Sequence, residues 1–501
     1  MNSPETLPWL AHDDIDRLRD GFGSAGYTVD AAGDAIGPQG RSSLARNHSI
    51  AADRAIGSRV DPLATLIRLF VLQQPVAAEA VARALPVPPL LSAGILARDD
   101  DSFRATLDIR PYDSPDDGAS GWLVSDHAAT LDTARATARP DHVLGVSPAS
   151  TTLAQLTIRN PVARALDLGT GCGVQTLHLA RHAETVVATD LNPRAVMCAE
   201  LSLALSGVEA DLRVGSLYDP VPDETFDLVV TNPPFVMSPP EKSRLTYREG
   251  GFDADGLMQA VVTQGIGHLA PGGVLQVLGN WAHLQDQPWP DRLSAWLDDA
   301  SVPCDVLVLE REVLDPYEYV EIWLADAGLA GSAEYDTRYR EWVDYFDRLG
   351  IEAVGMGWLT IRRTARPPQR RFESWPHAVQ QPVGPLLGRW LDDIAPSQAS
   401  DVEILDACWR LSPYVSQETI GEPGAADPTH VVLRQQTGLC RAVEVDTALG
   451  GVVGACDGTL ALGQIIGAVA GILDLSADAL TGDLLPRFRR LVADSWFERD
   501  A

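Results

Sequence analysis

The sequence predicts an α/β protein whose central part is a parallel sheet covered by helices on both faces. From about Asp141 to Thr364, short apolar runs alternate with amphipathic segments, which is the order of parallel strands joined by helices. Glycines and aspartates follow the first two apolar runs, as expected where a strand ends and a helix begins. With 501 residues, 45% of them hydrophobic, the chain can hold about two to four domains.

Seven apolar runs are the predicted strands of this core. Between the first two, VQTLHLARHA is predicted to be helical, and after the second a helix begins at Pro193 and ends at Gly207. Cys198 lies on the apolar stripe of that helix, so we predict a core position for it. The strands are 163–169, 185–190, 210–215, 226–231, 272–279, 304–310 and 353–363.

Residues 1–140 are predicted to form a winged-helix-like N-terminal domain. Three helical segments, 61–74, 76–85 and 88–96, precede two predicted strands at 103–112 and 121–127. The third helical segment is apolar and runs into RDDDS, whereas a helix that reads DNA needs Arg, Lys, Asn or Gln. We therefore expect packing or protein contact for this domain.

The central domain is expected to span residues 141–368, and a small, mainly helical or winged-helix-like C-terminal domain residues 372–501. The run RRTARPPQRRFESWP between them is interrupted by prolines and reads as a linker. Near the C-terminus, Leu484, Phe488 and Leu491 share one helix face, which predicts that this face is buried.

Charge and cysteine content exclude several classes of function. The formal net charge is −30, which repels polyanions and argues against a general nucleic-acid binder. The six cysteines are scattered, so we expect reduced thiols and no metal site. The first 20 residues lack the features of a secretion signal, and the most apolar stretch, 458–473, is shorter than a membrane span. We expect a cytoplasmic protein with no membrane contact.

The first two strand ends predict a nucleoside site. Asp167 ends the first strand, and Gly169, Gly171 and Gly173 follow it, where glycine lets the backbone turn sharply and approach a ligand. Asp190 ends the next strand, where a carboxylate can accept both hydroxyls of a ribose. After the third strand, Ser216 and Leu217 are expected to contact the adenine ring.

The stretch TNPPF at Thr231–Phe235 follows the fourth strand and predicts a site for a planar amino group. The side-chain oxygen of Asn232 and the carbonyl of Pro233 can each accept one N–H, and both hydrogen bonds strengthen as the nitrogen gains positive charge. Pro233 and Pro234 make the corner stiff because their φ angles are fixed. Phe235 offers a flat face for stacking. No general base is required, because a nitrogen that has gained positive charge loses its proton readily.

In this order and spacing, DLGTGCG, the aspartate of TVVATD and TNPPF resemble the class I S-adenosylmethionine-dependent methyltransferases, in particular the small-domain group that methylates planar nitrogens. The resemblance covers about residues 147–279 and implies a Rossmann-like seven-stranded core whose last strand is antiparallel. It also implies S-adenosylmethionine as cofactor, with no metal, and a contact from Thr151. Because GGFDADGL resembles a stretch of the release-factor glutamine enzymes, Tyr247 and Arg248 are candidate substrate contacts.

The methyl acceptor is expected to be a macromolecule, with a base amine in RNA or DNA narrowly preferred over a glutamine amide in a protein such as a release factor. Phe235 favours the base-modifying relatives, because the glutamine enzymes usually have tyrosine there, while the net acidity favours the glutamine enzymes. A third alternative is a regulatory protein that binds the cofactor without turnover. The arginine run at 362–371 is expected at the sheet edge opposite the cofactor, since the last strand is antiparallel.

Overall fold

The computed structural model describes residues 10–127, 131–133, 139–239, 252–298, 300, 302–423 and 428–498. The chain divides into two compact units at positions 154/155, 160/161 and 374/375. The first unit contains the N-terminal module and the central sheet. The second contains residues 155–160 and the C-terminal part.

The N-terminal module has the helix, strand, helix, helix, strand, strand order that a winged-helix-like arrangement requires. Its strands β1, β3 and β2 form an antiparallel sheet, and β4 pairs with β5. Three further helices precede this arrangement, and its first helix, α4, continues as a π turn. The elements are α1 (His12–Ala25), α2 (Val29–Leu44), α3 (Ile50–Ile56), α4 (Pro62–Leu66), β1 (Val76–Ala77), α5 (Ala78–Ala84), α6 (Val87–Ser92), β2 (Leu96–Asp99), β3 (Ser102–Ala105), β4 (Asp108–Asp113) and β5 (Ser120–Ser125).

The prediction of a single strand at 103–112 was wrong, because the structure divides these residues between two sheets. Alternate burial holds as far as Leu107, but Leu107, Asp108 and Ile109 are all buried in succession. A strand with one buried face cannot bury three consecutive side chains, so the chain changes sheet here. Its first part pairs with β2 and its second part with β5.

The central sheet has eight strands in the order β13-β11-β12-β10-β9-β6-β7-β8. All of its pairings are parallel except those of β12, which runs antiparallel to β10 and β11. The elements of this part are α7 (Pro148–Leu156), β6 (Val162–Leu168), α8 (Val174–Leu179), β7 (Ala183–Asp190), α9 (Pro193–Ser206), β8 (Asp211–Val214), β9 (Phe226–Thr231), α10 (Gly256–Gly267), β10 (Leu269–Leu284), α11 (Trp289–Asp298), β11 (Cys304–Leu314), α12 (Pro316–Asp326), α13 (Tyr335–Leu349), β12 (Ile351–Arg363) and β13 (Arg370–Ser374).

All seven predicted strands are present, and the predicted antiparallel direction of the last one is confirmed. The expected linker differs from the structure, because residues 370–374 pair with β11 as an eighth strand at the sheet edge. Cys198 is buried as predicted. Burial raises the pKa of its thiol to about 12, so it is an unreactive core side chain.

Helices α12 and α13 form a helical hairpin between β11 and β12. They share an apolar cluster with residues 236 and 237, which follow the Asn-Pro-Pro corner. Tyr319 and Phe346 are fully buried in this cluster. The hairpin therefore covers the sheet beside the predicted methyl-acceptor site.

The C-terminal unit combines helices with two three-stranded sheets. Leu484, Phe488 and Leu491 are buried, which confirms the predicted helix face. No helix among the described residues is long and apolar enough to cross a membrane; the cytoplasmic location stays a prediction. The elements are α14 (Gly384–Ser397), α15 (Asp401–Asp406), β14 (Cys408–Leu411), β15 (Val415–Ile420), β16 (His430–Gln435), β17 (Ala442–Val445), α16 (Thr447–Gly454), β18 (Asp457–Ala461), α17 (Leu462–Leu473), α18 (Ala477–Ala493) and β19 (Phe497–Glu498).

Candidate methyl-transfer site

A cavity of about 200 Å³ lies at the carboxyl ends of β9, β6 and β7. In an open parallel sheet, ligands bind at this edge, where neighbouring strands connect in opposite directions. The structure brings most of the predicted site residues together here. Those that line the cavity are Gly169, Gly171, Asp190, Ser216, Leu217, Asn232, Pro233 and Pro234.

The three glycines of the first loop serve two purposes. Gly169 and Gly171 line the cavity with φ angles of 80° and 56°, which side-chain-bearing residues rarely adopt. Gly173 has φ 86°, and a Cβ atom there would lie 3.2 Å from the Cα of Ala199. Gly173 therefore allows α8 to pack closely against α9, while the other two glycines form the ligand surface.

Asp190 is held in place by backbone groups on both sides. Its Oδ2 accepts the N–H of Gly171 at 3.0 Å, and its Oδ1 accepts the N–H of Asn192 at 2.8 Å. Burial raises the pKa of this carboxyl group, and the two backbone hydrogen bonds oppose that rise. Each carboxylate oxygen has more than one lone pair, so both can still accept a hydroxyl of a ribose.

Asp167 lies behind the glycine loop and does not line the cavity. It is 1% exposed, and its Oδ2 accepts the hydroxyls of Thr170 at 2.7 Å and Thr176 at 2.6 Å. Burial raises its pKa to about 6, although the two threonine hydroxyls lower it. Asp167 is therefore placed to brace the loop.

Residues 142–150 form a wall of the cavity that the sequence did not reveal. His142, Gly145, Ser147 and Ser150 all line it. Burial lowers the pKa of His142, against the influence of Asp126. No periodic pattern marks this wall, because it is a loop and the first turn of a helix.

Thr151, the predicted contact, is exposed and outside the cavity lining. Its hydroxyl donates to the carbonyl of Ser147 at 3.3 Å. The apolar side chain of Leu191, next to Asp190, is another lining residue that the sequence did not indicate, and 58% of it is exposed. A large apolar side chain beside a ribose site is suited to contact with an adenine ring.

The Asn-Pro-Pro corner provides a buried acceptor without a partner. Thr231, the last residue of β9, donates its hydroxyl to Leu168 O at 2.7 Å and fixes the start of the corner. Among the described residues, the buried Oδ1 of Asn232 and Oγ1 of Thr189 have no hydrogen-bond partner, and both residues line the cavity. Buried polar atoms are nearly always paired in native proteins. The two oxygen atoms therefore mark the cavity as a place for a polar ligand.

Phe235 lines a smaller adjoining cavity together with Pro234, Phe252 and Asn280. Its ring meets that of Trp323 edge to face, with the ring centroids 5.9 Å apart. The two predicted substrate contacts, Tyr247 and Arg248, lie outside the described residues. In the described part of the chain, no group of three or more His, Cys, Asp or Glu side chains is arranged to hold a metal ion.

The arginine run lies at the opposite edge of the sheet, as predicted. Arg362 pairs in register with Val274 near the start of the parallel part of β10. The side chains of Arg362 and Arg366 contact the buried carboxylate of Asp305. Arg370 pairs with Asp298, and Arg371 with Glu373. These four arginines are paired with three carboxylates, and they are far from the corner in the sheet.

The strand order, the antiparallel β12 and the ligand cavity at the carboxyl ends define a class I methyltransferase fold. Residues 145–302 match the family model described as the methyltransferase small domain. Residues 24–106 match a second model, described as a domain of unknown function, DUF7059.

Curated relatives share this region. The chain is 30% identical over 168 residues to the ribosomal protein uL3 glutamine methyltransferase of Bradyrhizobium diazoefficiens, covering 31% of this chain and 52% of that protein. It is 31% identical to the ribosomal RNA small subunit methyltransferase C of Alcanivorax borkumensis, covering 27% and 36%. It is 33% identical to the release factor glutamine methyltransferase of Geobacter sulfurreducens, covering 23% and 44%.

The chain thus spans about half or less of the length of these relatives. Among solved structures, a similar chain is the Thermus thermophilus 16S rRNA N2 G1207 methyltransferase in complex with AdoMet and guanosine. It has 20% sequence identity and a TM-score of 0.28, and the match covers 46% of this chain and 56% of that one.

Proposed function

We propose that this protein is an S-adenosylmethionine-dependent N-methyltransferase that acts on a planar amino nitrogen of a macromolecule. The observation that carries the proposal is the buried Oδ1 of Asn232, which has no partner among the described residues. Asn232 lines the same cavity as Asp190 and the glycine loop. An amide or ring-attached amine presents the N–H donors that this acceptor requires.

The residues around the cavity fit S-adenosylmethionine. Asp190 has free acceptor capacity for the ribose hydroxyls, Leu191 and Leu217 provide apolar surface for adenine, and Gly169 and Gly171 allow the backbone to approach the ligand. When bound, the cofactor supplies a methyl group attached to a positively charged sulfur.

The chain's own contribution is to hold the acceptor nitrogen. Asn232 Oδ1 and the carbonyl oxygen of Pro233 each accept one N–H, which leaves the nitrogen lone pair directed away from both. Each hydrogen bond gains strength as positive charge develops on nitrogen and reaches about 1.5 to 3 kcal/mol for a charged donor. The proton then leaves the nitrogen for water or one of these oxygens.

Two observations favour a polypeptide amide as the acceptor over a base amine. Four of the five arginines that would relieve the repulsion of a nucleic acid are paired with Asp305, Asp298 and Glu373. The helical hairpin beside the corner, residues 315–349, carries nine acidic and three basic side chains, which disfavours phosphate and favours a basic segment. Relatives include glutamine methyltransferases and an RNA methyltransferase, so the earlier preference for nucleic acid stays an untested alternative.

Two substitutions test the proposal by affecting different steps. Asn232→Ala is expected to lower the single-turnover rate at saturating cofactor by about 100-fold, while cofactor affinity changes little. Asp190→Ala is expected to weaken cofactor binding by about 10 to 100-fold, because two charge-assisted hydrogen bonds are lost. Calorimetry and transfer of labelled methyl groups measure the two effects. Wild-type chemistry in the Asn232 variant would contradict the proposal, and tight cofactor binding without any methyl transfer would favour the regulatory alternative.

A further inference from the structure

The backbone of Met237, five residues beyond Asn232, is held by both helices of the hairpin. Its N–H donates to the hydroxyl of Tyr319 in α12 at 2.9 Å. Its carbonyl accepts the indole N–H of Trp342 in α13 at 2.6 Å. Met237 is 1% exposed and Tyr319 is fully buried, so neither hydrogen bond is in competition with water.

The Tyr319 hydroxyl also joins the hairpin to the sheet. It accepts the side-chain amide of Asn280 in β10 at 3.2 Å, and Asn280 lines the small cavity beside Phe235. In α13, the hydroxyl of Tyr345 accepts the N–H of Ala254 at 2.9 Å. The hairpin thus holds chain segments on both sides of residues 240–251.

The side-chain oxygen of Asn232 has no hydrogen-bond partner within the described residues. The position of Asn232 therefore depends on how the backbone is held on either side of it. Upstream, the sheet holds the corner through Thr231, which pairs with Leu168 and Val277. Downstream, the ring of Phe235 contacts Trp323 of α12, and the backbone of Met237 is held by Tyr319 and Trp342. Two of the five intervening residues, Pro233 and Pro234, have little rotational freedom, so a shift at Met237 is transmitted to the corner.

We propose that Tyr319 and Trp342 are positioning residues for methyl transfer, which fix the corner so that Asn232 Oδ1 and Pro233 O meet the acceptor nitrogen. This inference rests on the proposed function. A displacement of about 1 Å in an active site can reduce the rate by about 100-fold, and these two side chains hydrogen-bond to the backbone of Met237, which follows the corner. Neither residue is among those that line the cofactor cavity.

Tyr319→Phe tests the inference. It removes the hydroxyl that accepts hydrogen bonds from the Met237 N–H and the Asn280 amide, and it keeps the aromatic ring. We expect the single-turnover rate, per molecule of bound cofactor, to fall by about 10-fold or more, with the cofactor Kd within about twofold of wild type. The assay uses labelled S-adenosylmethionine and an extract from a strain that lacks the gene. Tyr339→Phe is the matched control, since that hydroxyl donates to Glu321 and not to the corner. Trp342→Phe should resemble Tyr319→Phe.

The rate is expressed per molecule of bound cofactor, so that unfolded enzyme does not count. A lower rate then reports a misplaced corner and not a smaller amount of folded protein. A Tyr319→Phe enzyme that is less heat-stable but transfers methyl groups at the wild-type rate would overturn the inference. Amide hydrogen exchange at Met237 is a second measurement, expected to accelerate by about 10-fold or more in Tyr319→Phe but not in Tyr339→Phe. If wild type transfers no methyl group, the proposed function fails, and unchanged exchange at Met237 would refute the positioning role independently.

Discussion

At the scale of single residues, Asp167 shows how a carboxylate can support a ligand loop without touching the ligand. One of its oxygens accepts two threonine hydroxyls, from Thr170 and Thr176, which fixes the turn that carries Gly169 and Gly171. Full burial disfavours the ionised form and raises the pKa to about 6. The structure therefore combines a well-bonded side chain with a charge that is costly near neutral pH.

This burial predicts a pH dependence of stability. The pKa of Asp167 in the folded protein, about 6, is above the ordinary value of 3.8. Between these two pH values, Asp167 therefore keeps its proton in the folded protein and has lost it in the unfolded chain. The stabilising contribution is complete below 3.8 and is lost as the pH rises through 6. Asp167→Asn cannot titrate, so the unfolding free energy of wild type relative to this variant should fall by about 1 to 3 kcal/mol between pH 4 and pH 7.

Urea unfolding at several pH values measures the difference between the two proteins. The asparagine oxygen can still accept the hydroxyls of Thr170 and Thr176, so the loop is expected to keep its hydrogen bonds. A difference that is constant across this pH range would show that Asp167 has an ordinary pKa in the folded protein.

At the scale of secondary-structure elements, the end of β5 reaches into the cofactor region. Asp126 follows this strand and accepts hydrogen bonds from the guanidinium of Arg194 at 3.0 Å and from the N–H of Val143 at 2.8 Å. Arg194 lies in the first turn of α9, just after Asp190, and Val143 lies in the cavity wall. One carboxylate of the N-terminal module therefore joins two sides of the cofactor cavity.

Asp126→Asn should weaken cofactor binding without affecting the acceptor corner. Loss of the ion pair leaves the mostly buried Arg194 without its charged partner, and the 142–145 wall is held less firmly, so we expect the cofactor Kd to rise by about 10-fold. Calorimetry measures the Kd. Asp99→Asn is the control, because Asp99 pairs with Arg104 on the exposed surface of the same module. If both variants bind the cofactor as tightly as wild type, the N-terminal module does not contribute to cofactor binding through Asp126.

The elements also show what a sequence can and cannot predict. The glycine loop, Asp190 and Asn232 were predictable because each follows a strand, and the carboxyl ends of parallel strands meet at one edge of the sheet. The wall at His142, Ser147 and Ser150 has no such periodic signal. The contacts of Met237 with Tyr319 and Trp342 join positions 82 and 105 residues apart, and no local pattern carries that information.

At the scale of the whole molecule, charge constrains the acceptor. The formal net charge is −30, and four of the five arginines in the run at 362–371 are paired with carboxylates at the other edge of the sheet. Long-range repulsion slows the approach of a polyanion and speeds that of a basic polypeptide. Hydrogen bonding at the corner does not discriminate between the two acceptors, because a base amine and a glutamine amide both present a planar NH₂ group.

The acceptor class can be decided with labelled S-adenosylmethionine and an extract from a strain that lacks the gene, since unmethylated acceptor accumulates there. We expect the label to survive nuclease and to disappear with protease. The Asn232→Ala enzyme supplies the background, because it should bind cofactor and transfer little. Label that is removed by nuclease, together with a rate that falls steeply as salt rises, would instead establish the base amine as the acceptor, in spite of the acidic surface around the corner.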